Sequence, residues 1–182
     1  NKSKSDFDLD KWQEKVDKKR PWEEIIEEIK ETVKGYNSTL IFTDSQSVSN
    51  AIKAVLPGSE VLDCQPTAKD RFRTIQCFRQ GEIKVLINVQ ILTVGFDHPP
   101  LDCIILIRPT RSFRLYQQIL GRGTRTFPQK KTCHVYDYSG TVKALGSIEK
   151  IRIEKIDNKW ELLSETGSWH NRELYSFRLK KN

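Results

Sequence analysis

The amino-acid sequence predicts an α/β fold: a central parallel sheet flanked by helices, followed by a β-rich antiparallel appendage. Three observations support this prediction. Short apolar segments rich in β-branched residues alternate with amphipathic segments of helical period between residues 21 and 138. Such alternation is typical of a parallel sheet that helices cover on both faces. After Gly140 the helical period gives way to strand-like alternation, and a length of 182 residues suits one domain with an appendage.

Each element of the α/β part has its own signal. Pro21 suits the first position of a helix, and apolar residues follow it at helical spacing until Gly35. A later helix has Thr67 as its predicted N-cap, Asp70 in its first turn and Gly81 at its end. The predicted strands are 38–43, 60–63, 84–89, 102–108 and 133–138, and the other predicted helices are 47–56 and 112–120.

The two ends of the chain differ from this middle part. Residues 1–20 are polar and charged, which predicts a loose lead-in with one short helix around residues 9–18. The appendage is predicted to form strands at 148–157, 159–165 and 173–179.

The chain is basic, with a net charge of +7 and a pI of about 9.2. This charge is compatible with a polyanionic partner, of which nucleic acid is the commonest. A basic solvated surface without a specific partner explains the charge equally well. Charge alone therefore leaves both interpretations open.

The four cysteines are widely spaced and include no Cys-x-x-Cys pair, which argues against a zinc site. Cys77 and Cys103 lie in apolar patterns and are predicted to be small core residues. The sequence contains neither a signal peptide nor an apolar run of membrane-spanning length, so we expect a reduced, cytoplasmic protein with no membrane partner. The absence of any methionine indicates a piece of a longer protein.

The segment QILGRGTR (118–125) places two arginines three residues apart beside two glycines. Arg122 and Arg125, one helical turn apart, would project from one face, and their planar guanidinium groups match phosphate oxygens. Gly121 and Gly123 would let a nucleotide or another backbone approach closely. The plainer alternative is a helix end that carries surface arginines.

The segment LTVGFDHP (92–99) directly follows the predicted strand 84–89. A turn beyond a strand end is where sheets of this type bind ligands. Asp97 there can accept hydrogen bonds from ribose hydroxyls or from an arginine across an interface. The alternative is a turn whose Gly-x-Asp-x-Pro sequence only shapes the backbone.

Together, in this order and spacing, these segments resemble the C-terminal motor lobe of superfamily 2 helicases of the DExH type. LIFTDS (40–45) is similar to motif IV, NVQILTVGFDHPP (88–100) to motif V and QILGRGTR to motif VI. The resemblance covers roughly residues 36–140 and implies a RecA-like lobe. Gln118 replaces the histidine typical of DEAD-box RNA proteins. This difference, with the form of motif V, makes the chain look closer to restriction-enzyme motors and to phage or repair branch-processing helicases.

The resemblance implies a role for each matching residue. Arg125 matches the arginine finger, which stabilises charge developing on the γ-phosphate, and Arg122 matches the arginine that contacts the same phosphate or links it to motif V. Gln118 matches the residue that couples this phosphate to the opposite lobe. Gly95 and Asp97 match residues near the ribose and the lobe interface, and Ser45 and Thr93 match contacts to the nucleic-acid backbone. Asn88-Val89-Gln90 departs from the Ala-Thr-Asp of DEAD-box proteins.

The resemblance also implies partners. ATP with Mg²⁺ would be bound mainly by an N-terminal RecA-like lobe of the same protein, and DNA, single-stranded or branched, would be the substrate. Neither a Gly-x-x-x-x-Gly-Lys-Ser/Thr loop nor an Asp-Glu-x-Asp/His segment occurs in the sequence, so this chain alone should not hydrolyse ATP. The implied domains are 1–35, a helical lead-in from the preceding lobe, 36–140, the helicase lobe, and 141–182, the appendage.

Two other functions remain open on the sequence. A non-catalytic nucleic-acid-binding or regulatory module that keeps this fold would have no need of both arginines. A nucleotide-binding enzyme with an unrelated sheet is disfavoured, because no Gly-rich phosphate loop follows the first strand. His98 could contact a nucleotide or the facing lobe, but a residue that only shapes the turn is the plainer interpretation.

Overall fold

The computed structural model describes residues 22–63, 67–89, 96–156 and 159–163. The chain divides into two compact units, residues 1–139 and 140–182. The elements of the first unit are α1 (Trp22–Val33), β1 (Thr39–Thr43), α2 (Gln46–Val55), β2 (Glu60–Leu62), α3 (Ala68–Gln80), β3 (Val85–Val89), β4 (Cys103–Leu106), α4 (Phe113–Leu120) and β5 (His134–Asp137).

The five strands form one parallel sheet in the order β2-β3-β1-β4-β5, which confirms the α/β part of the predicted fold class. β1 lies at the centre, with Thr39 opposite Val85 on one side and opposite Cys103 on the other. The connection through α2 leads from β1 to β2, toward the β2 edge of the sheet. The connections through α3, from β2 to β3, and through α4, from β4 to β5, lead toward the β5 edge. Right-handed crossovers therefore place α2 on one face of the sheet and α3 and α4 on the opposite face.

Apolar side chains fill both faces of this sheet. On the face that α1 and α2 cover, the core consists of Ile25, Ile29, Ile41, Ile52, Leu56, Ile87, Cys103, Ile105 and Ile107. Strand residues of the other parity, such as Leu40, Leu86 and Ile104, point to the opposite face and are equally buried. Fully burying each such side chain contributes roughly 1.5–3 kcal/mol, so the sheet is held from both sides.

The predicted helix signals act as expected in α3. The Thr67 hydroxyl accepts a hydrogen bond from the Asp70 amide at 3.2 Å, and Gly81 ends the helix with a φ of 79°. That positive φ is strained for any residue with a Cβ, which is why glycine stands there. Cys103 is buried as predicted, whereas Cys77 is only partly buried, because α3 packs mainly through Phe78.

The second unit contains a helix that the sequence did not predict, α5 (Thr141–Leu145), and a short 3-10 turn at Ile148–Lys150. Five residues are too few to show a helical period, which explains the omission. Strands β6 (Arg152–Ile156) and β7 (Lys159–Leu163) pair antiparallel. The predicted strand 148–157 therefore begins later than expected. The predicted elements at 9–18 and 173–179 lie outside the described residues.

Candidate active site

In the part of the chain that the structure describes, the side chains of Arg122 and Arg125 connect motif VI to motif V. The Arg122 guanidinium donates a hydrogen bond from Nη1 to the carbonyl oxygen of Phe96. The Arg125 guanidinium forms an ion pair with the carboxylate of Asp97. Two consecutive residues of motif V thus receive the two arginines of motif VI, so the structure brings together Asp97, Arg122 and Arg125 of the predicted site.

This cluster lies toward the amino ends of the strands, which corrects the expectation that Asp97 would lie at their carboxyl ends; residues 90–95 of motif V lie outside the described residues. His98 contacts Ser38, the residue before β1, with 2.9 Å between His98 Nε2 and Ser38 Oγ. The physical reason is connectivity. Because β4 is parallel to β3, the chain after β3 must return to the opposite edge of the sheet before β4 begins.

The arginines do not lie within a helix, contrary to the sequence prediction of two charges one helical turn apart. α4 ends at Leu120 with Gly121 as its C-cap, and Arg122 and Arg125 follow in a turn. They consequently differ in environment: Arg122 is buried and Arg125 is exposed.

Arg122 is a buried cation, with only 7% of its surface exposed. Its guanidinium lies 5.6 Å from the centroid of the Phe96 ring, within cation–π distance. Burial lowers the pKa of Arg122, although an arginine remains charged at neutral pH. Among the described residues its Nε atom has no hydrogen-bond partner. These contacts fix Arg122 against motif V.

Arg125 has the opposite character. The side chains of Arg125 and Asp97 are 42% and 58% exposed, so water competes for their ion pair. Exposed pairs of this kind contribute only about 0–1 kcal/mol to stability. The pair therefore orients the Arg125 guanidinium at the surface without holding it strongly.

Lys130 is a further residue of this region that carried no signal in the sequence. Its ammonium donates hydrogen bonds to the backbone oxygens of Arg125, at 2.7 Å, and Pro99, at 3.1 Å. Lys130 thus connects the turn of motif VI to the end of motif V. A lysine in a polar loop has no local pattern that would distinguish it, and only the folded chain brings these three residues together.

Phe96 and His98 belong to an aromatic cluster that supports the site. The ring centroids of His98 and Phe78 are 4.7 Å apart, and those of Phe96 and Phe78 are 6.0 Å apart. Burial, with the nearby charges of Arg79 and Lys130, lowers the pKa of His98 to about 4. His98 is therefore neutral near pH 7. Its surroundings favour the plainer interpretation, a residue that shapes the turn.

Gly123 is required by close packing, but inside the lobe rather than against a nucleotide or another backbone. A Cβ at this position would lie 2.5 Å from Cys133 Sγ and 3.1 Å from Ile104 Cδ1. Any side chain would overlap these atoms. Glycine therefore lets the turn of motif VI approach the chain entering β5.

The remaining predicted residues are more dispersed. Gln118 is half-buried on α4. Ser45 lies beyond the carboxyl end of β1, where its hydroxyl caps α2 by accepting a hydrogen bond from the Val48 amide at 3.4 Å. It is thus at the opposite edge of the sheet from Arg125. Gly95 and Thr93 lie outside the described residues.

Two further properties concern the described part of the chain as a whole. None of its helices is long and apolar enough to cross a membrane. Its histidine, cysteine and acidic side chains form no group of three that could hold a metal ion.

The sequence is similar to those of known helicases. The family described as "Helicase conserved C-terminal domain" matches residues 20–127. The putative ATP-dependent helicase IRC3 of Saccharomyces cerevisiae is 36% identical over 115 residues, which cover 61% of this chain and 17% of that protein. The putative mitochondrial ATP-dependent helicase irc3 of Schizosaccharomyces pombe is 33% identical over 139 residues, covering 72% and 23%. The chain thus spans less than a quarter of the length of these two relatives.

A third relative is the EcoKI endonuclease subunit of the type I restriction enzyme of Escherichia coli, 30% identical over 93 residues, which cover 50% of this chain and 8% of that protein. Among solved structures, the C-terminal domain of the DEAD-box protein Dbp5 superimposes with a TM-score of 0.54 at 21% identity, covering 68% of this chain and 79% of that one.

The helicase Lhr of Mycobacterium smegmatis, bound to single-stranded DNA and AMP-PNP, gives a TM-score of 0.56 at 17% identity, covering 64% of this chain and 17% of that one. These superpositions show that the parallel sheet with its helices has the RecA-like fold of superfamily 2 helicase C-terminal domains. With the matched residues 20–127, they identify the chain as a member of the helicase conserved C-terminal domain family.

Proposed function

We propose that this chain is the second motor lobe of an ATP-dependent superfamily 2 helicase or translocase, in which Arg125 acts as the arginine finger. The observation that carries the proposal is the contrast between the two arginines of motif VI. Arg122 is buried against Phe96, whereas the Arg125 guanidinium is exposed and, among the described residues, is ion-paired with Asp97 alone. A buried arginine supports the site, and an exposed one can reach a phosphate brought by another lobe.

In the proposed reaction, ATP lies between this lobe and an N-terminal one. When the lobes close, the Arg125 guanidinium exchanges the Asp97 carboxylate for oxygens of the γ-phosphate. The exchange costs little free energy, because the exposed ion pair is weak. Negative charge on the phosphate grows toward the transition state, so the planar Arg125 guanidinium binds it most strongly there. The freed Asp97 carboxylate is then available to a ribose hydroxyl, the role that the family resemblance implies for Asp97 and Gly95.

Magnesium would neutralise charge on the ATP phosphates. We assign it to the other lobe, because the family resemblance implies an Asp-Glu-x-Asp/His segment for holding magnesium and this sequence contains none. Arg122 would keep its contact with Phe96, so that a movement of motif VI also moves motif V. Gln118, on α4, would couple the γ-phosphate to the facing lobe.

For the nucleic acid, we favour DNA, single-stranded or branched. Gln118 and the form of motif V resemble the DNA-handling group, and the EcoKI relative is part of a restriction enzyme. Lhr was solved with single-stranded DNA, whereas Dbp5 was solved with RNA. Ser45, at the carboxyl edge of the sheet, and Thr93 would contact the phosphate backbone. The proposed domains are 1–35, 36–140 and 141–182.

A cytoplasmic location is part of the proposal, although the fission-yeast relative is described as mitochondrial. Fractionation of cells that produce the intact protein distinguishes the two locations. The alternative of a non-catalytic module does not explain why an exposed arginine is oriented at the surface beside a buried one.

The experiment that tests the proposal measures ATP hydrolysis by the intact protein and by the 182-residue chain. We expect the intact protein to hydrolyse ATP faster with single-stranded DNA than with RNA of the same length, and the isolated chain to be inactive. Faster hydrolysis with RNA would overturn the DNA assignment alone. Hydrolysis by the isolated chain that a substitution in this chain abolishes would contradict the half-motor assignment. An intact protein without nucleic-acid-stimulated hydrolysis would favour the non-catalytic module.

A further inference from the structure

Helix α3 presents an exposed aromatic ring among basic side chains. Phe72 is 64% exposed, one of two large hydrophobic side chains exposed in the described part of the chain, the other being Val135. Lys69 and Arg73 are also exposed, and Gln76 is partly exposed. Counted from Lys69, the other three lie three, four and seven positions further along the helix, a spacing that places all four on one side as a stripe, which we call the α3 stripe.

The packing of α3 explains why this stripe faces solvent. The helix is anchored near its carboxyl end by Phe78, its one buried residue among those described, which packs in tilted contacts against Phe96 and His98. Phe72 lies about one and a half turns earlier and takes no part in that cluster. The Phe72 ring is therefore exposed because it lies on the solvent-facing side of α3, and not because the core is poorly packed.

The charges of the stripe are open to a ligand. Neither Lys69 nor Arg73 forms an ion pair with another residue that the structure describes, and Asp70 is occupied by a 2.7 Å hydrogen bond from the Thr67 hydroxyl. An aromatic ring between two uncompensated cations suits a ligand with both flat apolar rings and negative charge. A nucleic-acid strand has both, whereas an apolar protein surface would leave the two cations unpaired.

The position of the stripe agrees with such a ligand. α3 begins directly beyond β2, so its first turns lie at the carboxyl edge of the sheet, as does Ser45. A 2.6 Å hydrogen bond from the Gln46 side-chain amide to the carboxylate of Asp63 links the start of α2 to the residue that follows β2 at this edge. The stripe thus extends the edge along which the nucleic-acid backbone is proposed to run.

We infer that the α3 stripe binds a single nucleic-acid strand, with a base stacked on Phe72 and the flanking phosphates paired with Lys69 and Arg73. The inference rests on the proposed function and adds a base-stacking contact to it. Stacking is tolerant of sequence, because every base has a flat face. The stripe would therefore hold a strand in register without reading its sequence.

The test is fluorescence anisotropy of the 182-residue chain with two labelled single strands of equal length, an oligothymidylate and its abasic analogue. Wild type should bind the oligothymidylate more tightly than the abasic strand. Phe72→Ala should weaken oligothymidylate binding about 5- to 150-fold, the range for loss of one stacked base, and remove the preference. Phe72→Trp should keep it, and Val135→Ala, the other exposed apolar residue, should change nothing.

The cations have their own readout. Lys69→Gln and Arg73→Gln should each lower the slope of log affinity against log salt by about 0.7, while the preference over the abasic strand persists. Salt-dependent binding without any preference for bases, or a Phe72→Ala effect equal on both strands, would overturn the inference and leave the proposed function standing. Absence of salt-dependent binding to either strand would remove the nucleic-acid part of the proposed function as well.

Discussion

The Asp97 carboxylate and the Arg125 guanidinium form an ion pair that joins motif V to motif VI at the surface, where both side chains are largely exposed. Because both side chains are exposed, the ion pair contributes little to stability, but it can orient the Arg125 guanidinium. If Asp97 acts on ATP hydrolysis partly by orienting Arg125, their effects on the rate cannot be independent.

We therefore expect coupling between these residues in the intact protein. Asp97→Ala should lower kcat for ATP roughly 10-fold, since misplacing a catalytic group is costly even when the group remains. Arg125→Ala should lower kcat more, and the double variant should be no slower than Arg125→Ala. Steady-state kinetics of the four proteins measures the coupling. Strictly multiplicative losses would show that Asp97 acts without Arg125.

The two arginines of motif VI should differ in their effect on folding. Arg122→Met should destabilise the chain by about 2 kcal/mol, because it removes a charged hydrogen bond to the Phe96 carbonyl and a cation–π contact in a buried place. Arg125→Met, a matched change at an exposed site, should cost less than about 0.5 kcal/mol. Urea unfolding of the 182-residue chain measures both values, and equal losses would contradict the assigned difference in role.

The sequence predicts the sheet well because each signal is local. Runs of β-branched residues predict the strands, and Thr67 and Gly81 mark the ends of α3 by their own backbone chemistry. The pairing of motifs V and VI could likewise be anticipated from the family resemblance.

The features that the sequence does not reveal depend on contacts between residues that are far apart in the chain. The site lies at the amino edge of the strands because of the return path before β4, which no window of residues encodes. The burial of Arg122 against Phe96 and the contact of Lys130 with the Pro99 carbonyl, across 31 residues, are equally non-local. The hydrophobic pattern of a sequence predicts that an arginine is exposed. Arg122 is an exception to this rule, and such exceptions are expected at functional sites.

Gly123 offers a test of the packing around motif VI. Gly123→Ala should destabilise the chain by about 1–3 kcal/mol, since the new methyl group would overlap Cys133 Sγ. The double variant Gly123→Ala with Cys133→Ala should recover part of this loss. Gly35→Ala, whose new methyl meets only an ordinary contact at 3.6 Å, is the matched control for urea unfolding. A neutral Gly123→Ala would mean that the turn can move away from β5.

His98 should make stability depend on pH. Its pKa is lowered from 6.5 to about 4 in the folded chain, chiefly by burial. Between these pH values the unfolded chain binds a proton on His98 that the folded chain does not bind. The free energy of unfolding therefore falls as the pH decreases through this window, by up to about 3 kcal/mol. Urea unfolding at several pH values should give a shallower dependence for His98→Phe than for wild type. An unchanged slope in His98→Phe would contradict the assignment.

Arg125 itself gives the sharpest test of the proposed function. An arginine that meets the γ-phosphate as charge develops contributes mainly to the transition state, so its loss should lower kcat far more than it raises KM for ATP. Arg125→Ala and Arg125→Lys should both lose about 2 to 5 orders of magnitude in the intact protein, because a lysine does not reproduce the planar fork. Arg114→Ala, at an exposed position on α4, should keep most of the activity. Binding of DNA should be nearly unchanged in all three variants, since Arg125 lies at the edge of the sheet opposite to Ser45. Hydrolysis by Arg125→Ala within a few-fold of wild type would leave motif VI as the end of a helix with surface charges.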